Sequence, residues 1–452
     1  MALTGLDIYK LLPKTNCKKC GFPTCLAFAM ALATKKVSLD KCPDVTEETK
    51  QILESASEPP IRTVTIGSGE NKISIGGETV LFRHEKTFYH KCGTGILLSD
   101  NLSVPGGEIK NKVSLFNKLV FDRVGQKVRA EFIALKNDSD SETKFIDALN
   151  EINTLSSDSL LILLSNNITT LEKALSTLKD RRPVVGPANT GNYESMTNLA
   201  RTNNAGLLVT GKDLDEIAAV TQKITDMGFR EIVLDLSNPD INSCLENLTQ
   251  VRRLALRKNY RPLGYPTIVF CSAKQGENNC DALTCGATFI AKYASIVIVP
   301  EPVDWQFLAM VTLRQNIYAD PQKPVTVQPK LYSIGGTPDN KSPVLITTNF
   351  SLTYFTIEPE IINSKIPSWL VVVDTDGLSV LTAWAAEKFT PEKIVDAMKK
   401  ANIENIVEHR KLIIPGYVAV MSGKLNELSG WEVLVGSREA SGIPKFLRSI
   451  WL

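Results

Sequence analysis

The sequence predicts an α/β protein in three parts: a small helical N-terminal domain, a central (β/α)8 barrel and a C-terminal Rossmann-like α/β domain. Three observations carry this. Four of the nine cysteines crowd the first 42 residues, in a stretch of helical pattern. Apolar, β-branched runs then alternate with helix-period segments, roughly seven or eight βα units in about 230 residues, the size of such a barrel. After a stretch rich in proline and glycine the alternation resumes to the C-terminus. A chain of 452 residues can bury several cores of this kind.

Taken in order, residues 1–57 form the helical domain, with a helix expected over 26–34. Pro59 and Pro60 break the chain, and 58–92 reads as a linker with β-like segments, Gly76 and Gly77 being placed for a turn. The TIM-type barrel is assigned to 93–322. Its strands fall at 128–135, 160–164, 183–185, 206–209, 231–236, 267–271 and 296–299, with Leu97 or Val120 marking one more. Helices are expected at 142–155, 171–178, 193–201, 214–227, 244–256, 282–293 and 305–317. Strands this apolar suit a parallel sheet covered on both faces. A doubly wound open sheet is the competing arrangement. Residues 320–343 read as a part-stiff linker with a hinge at Gly335–Gly336. In the last domain, 323–452, strands are expected at 344–348, 369–374, 411–414 and 432–435. A helix at 391–400 would be capped by Thr390, with Pro391 in its first position.

With 51 basic and 49 acidic side chains, bulk electrostatics cannot drive nucleic-acid binding, and no polybasic arm is offered to a membrane. No apolar run approaches the roughly eighteen residues of a membrane span. The start lacks a basic region followed by an apolar stretch, so a cytoplasmic protein with reduced thiols is expected. Cys17, Cys20 and Cys25 fall on one loop shaped by Gly21 and Pro23, and Cys42 follows the next helix. Zinc sites more often pair two short knuckles. One loop supplying three thiolates suits a [4Fe–4S] cubane better, with zinc as the alternative. Lys18 and Lys19 either offset the cluster's charge or are simply solvated, while Phe22, Leu26 and Phe28 would exclude water. Cys92, Cys244, Cys271, Cys280 and Cys285 lack ligand spacing and read as buried, inert thiols. His84, His90 and His409 read as surface or packing residues. Asn189, Thr210, Asp235 and Ser272, near barrel strand ends, make no acid–base pair.

Ligands of open α/β sheets bind beyond the carboxyl ends of the strands. The loops there are Thr347 to Thr353, Asp374 to Val380, Pro415 to Tyr417 and Gly436 to Gly442, all rich in Gly, Ser and Thr. Few strong acids or bases and no histidine lie in them. They suit a cradle for a large cofactor's rim better than side-chain acid–base chemistry, although such residues are also ordinary turn formers.

The cysteine segment, the barrel pattern and the runs TTNFSLTYF and DTDGLSVLTAW together resemble the large (gamma) subunit of the corrinoid iron–sulfur protein of the reductive acetyl-CoA pathway, over essentially the whole chain. The resemblance implies a [4Fe–4S] cluster on Cys17, Cys20, Cys25 and Cys42. It also implies a cobamide held by Thr347, Thr353, Gly377, Leu378, Ser379, Val380 and Ala440, with Gly416 and Tyr417 as an extension from the loop pattern. No histidine stands in the Asp-x-His-x-x-Gly loop of many cobalamin proteins, so a base-off corrinoid without a protein imidazole is expected. The implied role is a methyltransferase component and methyl carrier. Co(I) takes a methyl group from methyltetrahydrofolate through a methyltransferase, and methyl–Co(III) delivers it to the nickel site of acetyl-CoA synthase/carbon monoxide dehydrogenase. The cluster restores inactive Co(II). Implied partners are a small subunit in a heterodimer, these two enzymes and a reductant such as ferredoxin. The other reading is a barrel redox enzyme with a ferredoxin-like domain and a nucleotide or flavin in the last domain; an electron-carrying scaffold is a third.

Overall fold

The fold comes from a computed structural model. It describes residues 5–33, 37, 39–46, 59–82, 88, 90–103, 108–178, 180–271, 280–301, 303–318 and 324–451. Thr34, His84, Ser272, the side chain of Cys280 and the domain limits expected near 57 and 322 lie outside the described residues. The chain divides into two compact units, residues 1–121 with 129–318, and residues 122–128 with 319–452.

The first unit begins with α1 (Gly5–Leu11) and α2 (Cys25–Ala33). They share a small core of Ile8, Leu12, Cys25, Phe28, Ala29, Cys42 and Val45. Next, β1 (Thr63–Ser68) and β2 (Asn71–Gly76) form an antiparallel hairpin. It reverses at Gly69–Glu70, not at Gly76–Gly77. Val64, Ile66 and Ile75 of the hairpin are buried against Phe132, Ile162 and Ile268 of the barrel interior. The Gly67 N–H donates to Arg182 O (3.0 Å) just before a barrel strand, so the hairpin plugs the barrel's amino end.

β3 (Gly93–Ser99) and α3 (Glu108–Asn117) precede a two-stranded hairpin, β4 (Val120–Arg123) and β5 (Gln126–Arg129). Then follow β6 (Phe132–Lys136), α4 (Glu142–Leu155), β7 (Leu160–Leu164), α5 (Ile168–Thr177), β8 (Val184–Ala188) and α6 (Tyr193–Thr202). The series continues with β9 (Gly206–Val209), α7 (Leu214–Asp226), β10 (Ile232–Asp235), α8 (Ile241–Lys258), β11 (Thr267–Phe270), α9 (Cys280–Ala291), β12 (Ile296–Val299) and α10 (Asp304–Ile317). Strands β3 and β6 to β12 close into a parallel barrel, β12 pairing with β3, which settles the choice against an open sheet. Helix starts follow capping chemistry: Ser141, Asn167, Asp213 and Asp240 each accept a backbone N–H of the first turn. The single strand expected over 128–135 is two strands in different sheets. Its break is fixed by Glu131, whose carboxylate pairs with buried Arg314 at 2.8 Å and accepts the Thr94 N–H at 3.0 Å.

In the second unit, β13 (Leu331–Ile334), β14 (Val344–Thr348), α11 (Ser351–Ser364) and β15 (Ser368–Val373) are followed by α12 (Val380–Ala385) and α13 (Pro391–Lys400). β16 (Lys411–Ile414), α14 (Ser422–Ser429), β17 (Glu432–Val435) and α15 (Ile443–Ile450) complete it. The strand order is β13-β15-β14-β16-β17, parallel except for β13. Leu345, Leu370 and Ile413 share one face with Tyr354, Ile361 and Leu447 of α11 and α15. Val344, Ile346 and Val371 share the other with Ala383, Ile394 and Leu425 of α12 to α14. Of the stretch read as a linker, the described part is folded into this unit. Val327 N donates to Asn349 O, Ser351 N donates to Val325 O, and 331–334 is an edge strand on β15. Gly335 and Gly336 therefore end β13 and cannot act as a hinge before the unit.

Candidate functional site

Strand order reverses direction about β14: the chain goes from β14 to β15 on one side, then crosses to β16 on the other. Such a switch point leaves a crevice at the carboxyl ends. Here β14 and β16 pair only through Leu345 and Ile413, whereas β14 and β15 pair over five residues. Beyond that single pair the two strands part, and a cleft with about 380 Å³ of free space opens. Its depth is apolar, with Leu345, Leu370 and Ile413 in its wall, and its rim carries hydroxyls, backbone and Arg438. Leu352, Leu381 and Tyr417 at the mouth remain 51%, 50% and 46% exposed, more apolar surface than an isolated fold needs to leave in water.

Two rim loops are tied by buried Asn349. Its Oδ1 accepts the Thr375 N–H, the Thr375 hydroxyl and the Gly377 N–H, each at 3.0 Å, and its Nδ2 donates to Asp374 Oδ1 at 2.9 Å. The turn they hold puts Asp376 and Gly377 in the left-handed region, φ 55° and 74°. A Cβ on Gly377 would come within 2.7 Å of Thr326, so glycine is required by both backbone and space. Lys388 pairs with Asp376 and holds its carboxyl below the usual range. The other two loops touch: the Gly416 N–H donates to Ser437 O (3.1 Å), and a Cβ there would meet Gly436 O at 2.6 Å. The Tyr417 hydroxyl donates to Glu439 Oε1 at 2.7 Å, and that bond, with the negative charge behind it, pushes the phenol's pKa up.

Of the residues implied for a cobamide, Thr353, Ser379, Val380 and Ala440 line the cleft. Gly377 and Leu378 lie in the adjoining turn, which the Leu378 N–H closes by donating to Thr375 O at 3.2 Å. Thr347 is fully buried at the carboxyl end of β14; its hydroxyl and that of Thr348 find no hydrogen-bond partner. Buried orphan hydroxyls carry a cost that a bound polar group would remove. Sequence reasoning passed over Ile357, Ile443 and Phe446 in the cleft wall, which come from α11 and α15. His409 accepts the Lys411 N–H and contacts Ser342 O, at the amino end of β16 and thus at the opposite edge of the sheet.

In the first unit, Cys25 and Cys42 are buried, Cys20 is half-buried and Cys17 is exposed, its thiol 3.4 Å from Asp44 Oδ2. The loop winds tightly through left-handed residues Lys14, Asn16, Lys18 and Gly21. Asn16 braces it, its Oδ1 accepting the Cys25 N–H at 2.8 Å. Burial is the first cause, and nearby Cys20 and Cys17 further causes, of a raised Cys42 pKa. Among the described residues no three His, Cys, Asp or Glu side chains stand close enough to hold a metal ion as they are. The donor set itself, three thiols at one small apolar core and a fourth, Cys17, exposed on the same loop, fits a thiophilic cluster. Lys19 pairs with Asp44 at 3.0 Å. Among the other cysteines, Cys92, Cys244, Cys271 and Cys285 are buried, and burial pushes Cys92 and Cys244 up to about 12, as inert thiols require. Asn189 caps a turn by accepting the Gly191 N–H, the Thr210 N–H donates to Ala188 O, and Asp235 accepts from Ser237.

A closed (β/α)8 barrel preceded by a cysteine-rich head and followed by a doubly wound unit with an apolar crevice defines a class of multi-part, ligand-binding α/β protein. The chain belongs to the CO dehydrogenase/acetyl-CoA synthase delta subunit family, whose model matches residues 63–447, and to the same family as corrinoid/iron-sulfur protein large subunits. Residues 12–43 match a second model, described as an Fe-S cluster. It is 46% identical to the corrinoid/iron-sulfur protein large subunit of Moorella thermoacetica, over 99% of both chains. It is 35% identical to the acetyl-CoA decarbonylase/synthase complex subunit gamma of Methanothermobacter thermautotrophicus, again over 99% of both. Among solved structures, the 7,8-dihydropteroate synthase from Vibrio fischeri ES114 aligns with a TM-score of 0.40 at 14% identity, over 57% of this chain and 99% of its own. The family read from the cysteine segment and the two C-terminal runs is thereby borne out. Among the described residues no helix is long and apolar enough to cross a membrane.

Proposed function

We propose that this chain is a corrinoid-carrying, iron–sulfur methyl-transfer subunit of the acetyl-CoA pathway. The observation that carries the reading is the apolar cleft between β14 and β16. Its free space of about 380 Å³ is small for a whole corrinoid but suited to a flat aromatic group on a tether. A cobamide's displaced lower base is such a group, which supports base-off binding. His409, at the far edge of the sheet, is out of reach as a substitute ligand from this unit. The rim would seat the macrocycle. Thr353, Ser379 and Ala440 offer small polar or uncharged contacts, Leu352, Leu381 and Tyr417 offer apolar ones, and Asn349 fixes the loop that carries Gly377 and Leu378.

When bound, the two cofactors would supply a cobalt centre that accepts a methyl group from methyltetrahydrofolate through a methyltransferase and yields it to acetyl-CoA synthase, and a [4Fe–4S] cluster that returns oxidised cobalt to service. The chain's own part is to hold, orient and shield. Cys17, Cys20, Cys25 and Cys42 would ligate the cluster, with Phe22 and Phe28, in ring contact at 5.6 Å, limiting water beside it. A small subunit, the methyltransferase, acetyl-CoA synthase and a ferredoxin-like reductant are the partners this reading entails, in a cytoplasmic setting.

Anaerobic reconstitution tests it. Protein loaded with hydroxocobalamin, iron and sulfide should retain about one cobalt and about four iron per chain after desalting, with Co(I) absorption on reduction. Ala440→Trp, which fills the cleft mouth, should lower retained cobalt and leave iron unchanged. Full iron with no retained cobalt in the parent protein would sink the corrinoid assignment.

A further inference from the structure

Among the described residues that line the cleft between β14 and β16, Arg438 is the only one with a charged side chain. It stands in the loop after β17, and the backbone of that loop is closely held. The Gly436 N–H donates to Ile414 O at 2.9 Å, the Gly416 N–H to Ser437 O at 3.1 Å and the Gly442 N–H to Glu439 O at 3.0 Å. A Cβ on Gly416 would come within 2.9 Å of Arg438 N, and one on Gly442 within 2.7 Å of Ser437 Cβ. Glycine at both places lets the neighbouring segments close around the residue that carries the charge.

The hydroxyls beside it are engaged within the protein. Ser437 Oγ donates to Glu439 O at 2.8 Å, Thr356 Oγ1 donates to Leu352 O at 2.6 Å, and the Ser379 and Thr382 hydroxyls bond to each other at 3.0 Å. Glu439, the acid next in sequence, accepts the Tyr417 hydroxyl, and among the described residues no carboxylate pairs with Arg438. The charge reaches the cleft mouth all the same: the Tyr417 phenol, pushed up by its bond to Glu439, is drawn down by Arg438.

Below this charge the wall is hydrocarbon, with Leu345, Ile357, Leu370, Ile413 and Phe446. Low-dielectric walls strengthen an ion pair formed at such a mouth. A ligand that suits both parts is apolar and flat at its end and anionic a short way back. In a complete cobamide the lower base hangs from a ribose that a phosphodiester joins to the corrin, and that diester is the anionic group of the tail. With the base in the depth of the cleft, the tail leaves through the mouth. A guanidinium offers a phosphate two parallel N–H bonds, which a neutral amide or a hydroxyl cannot match.

We propose, on the corrinoid reading of this cleft, that Arg438 binds the phosphodiester of the nucleotide tail. It thereby adds to a preference for complete cobamides over cobinamides, which lack both the phosphate and the base.

Equilibrium dialysis of the full-length protein, anaerobic and at fixed ionic strength, tests this with hydroxocobalamin and with aquocobinamide. Arg438→Gln should weaken hydroxocobalamin binding about tenfold or more, as loss of a charged hydrogen bond requires, and leave aquocobinamide binding unchanged. Arg438→Lys, which keeps the charge and loses the fork, should fall between the two. Lys445→Gln removes an equal charge from α15 outside the cleft lining and should bind both corrinoids as the parent does. Circular dichroism and the thermal midpoint establish that the variants are folded. Where aquocobinamide binds too weakly to measure, the salt dependence decides: hydroxocobalamin affinity should fall less steeply with ionic strength in Arg438→Gln than in the parent. Equal hydroxocobalamin affinity in Arg438→Gln and the parent overturns the proposal and leaves the corrinoid reading standing. An equal loss for aquocobinamide overturns it too, since the arginine would then serve the ring or the fold. Failure of the parent to bind hydroxocobalamin removes both.

Discussion

Asn349 joins loops that the chain separates by about 25 residues, and the shape of the rim depends on that one amide. Replacing it by alanine leaves the N–H groups of Thr375 and Gly377, both buried, without their partner. The expected cost is about 2–4 kcal/mol, since buried donors left unmatched lose more than the net worth of the bond. Urea unfolding of Asn349→Ala against the parent protein measures it; a loss below about 0.5 kcal/mol, the range of ordinary surface changes, would show that the loops hold themselves. The sequence marks this residue only as one polar member of a Gly-, Ser- and Thr-rich loop. Its role is invisible there because every partner but the chain itself comes from the following strand's loop. The loops that carry Thr353, Ser379, Val380 and Ala440 were legible because they follow strand ends, which can be read from the apolar pattern, whereas the choice of these residues within them came from the family resemblance.

At the level of elements, α13 shows how local rules become tertiary ones. Thr390 caps it and Pro391 opens it, as its sequence predicts. Glu392 in its first turn then pairs with Lys424 of α14 at 2.5 Å. Lys424, then the residue's own N–H and Thr390, hold the Glu392 carboxyl down to about 2. A carboxyl lowered in the folded state stabilises the fold above its unfolded value, near 4.5, and that contribution is lost as pH falls through about 2. Lys424→Met should therefore raise the midpoint of Glu392 toward 4.5 and remove this carboxyl's share of the stability that the parent protein loses between 4.5 and about 2; a carboxyl carbon NMR titration, assigned with Glu392→Gln, reads the midpoint. An unmoved midpoint would assign the shift to the helix start alone. Barrel strands were legible because burial on both faces makes them continuous apolar runs. The β5–β6 break was not, since a strand's end at Glu131 is set by Arg314, 183 residues away. Nor was β13, four residues among prolines whose strand character comes from pairing with β15. The cleft itself depends on where β14 and β16 stop pairing, a property of two strands and of neither sequence.

Across the molecule, the three parts differ in how much apolar core supports them. The barrel and the C-terminal unit each enclose large clusters of buried side chains, whereas the core of the cysteine-bearing head has, among the described residues, seven buried members, two of them cysteines. Domains of that size rarely stand on a hydrophobic core alone and gain stability from metal ligation. A thiol-bound cluster would tie Cys42 to the Cys17–Cys25 loop and close the segment between them, so the head's order should depend on iron while the rest of the chain's should not. Limited trypsin digestion under anaerobic conditions separates the cases. With the cluster in place, cleavage after Lys18 and Lys19 should be slow. After iron removal by a chelator it should become fast, while fragments beginning beyond residue 60 persist at the same rate as before. Equal cleavage of the loop in both forms would mean that the four thiols do not share a cluster, and would leave the C-terminal cleft as the one cofactor site this reading can keep.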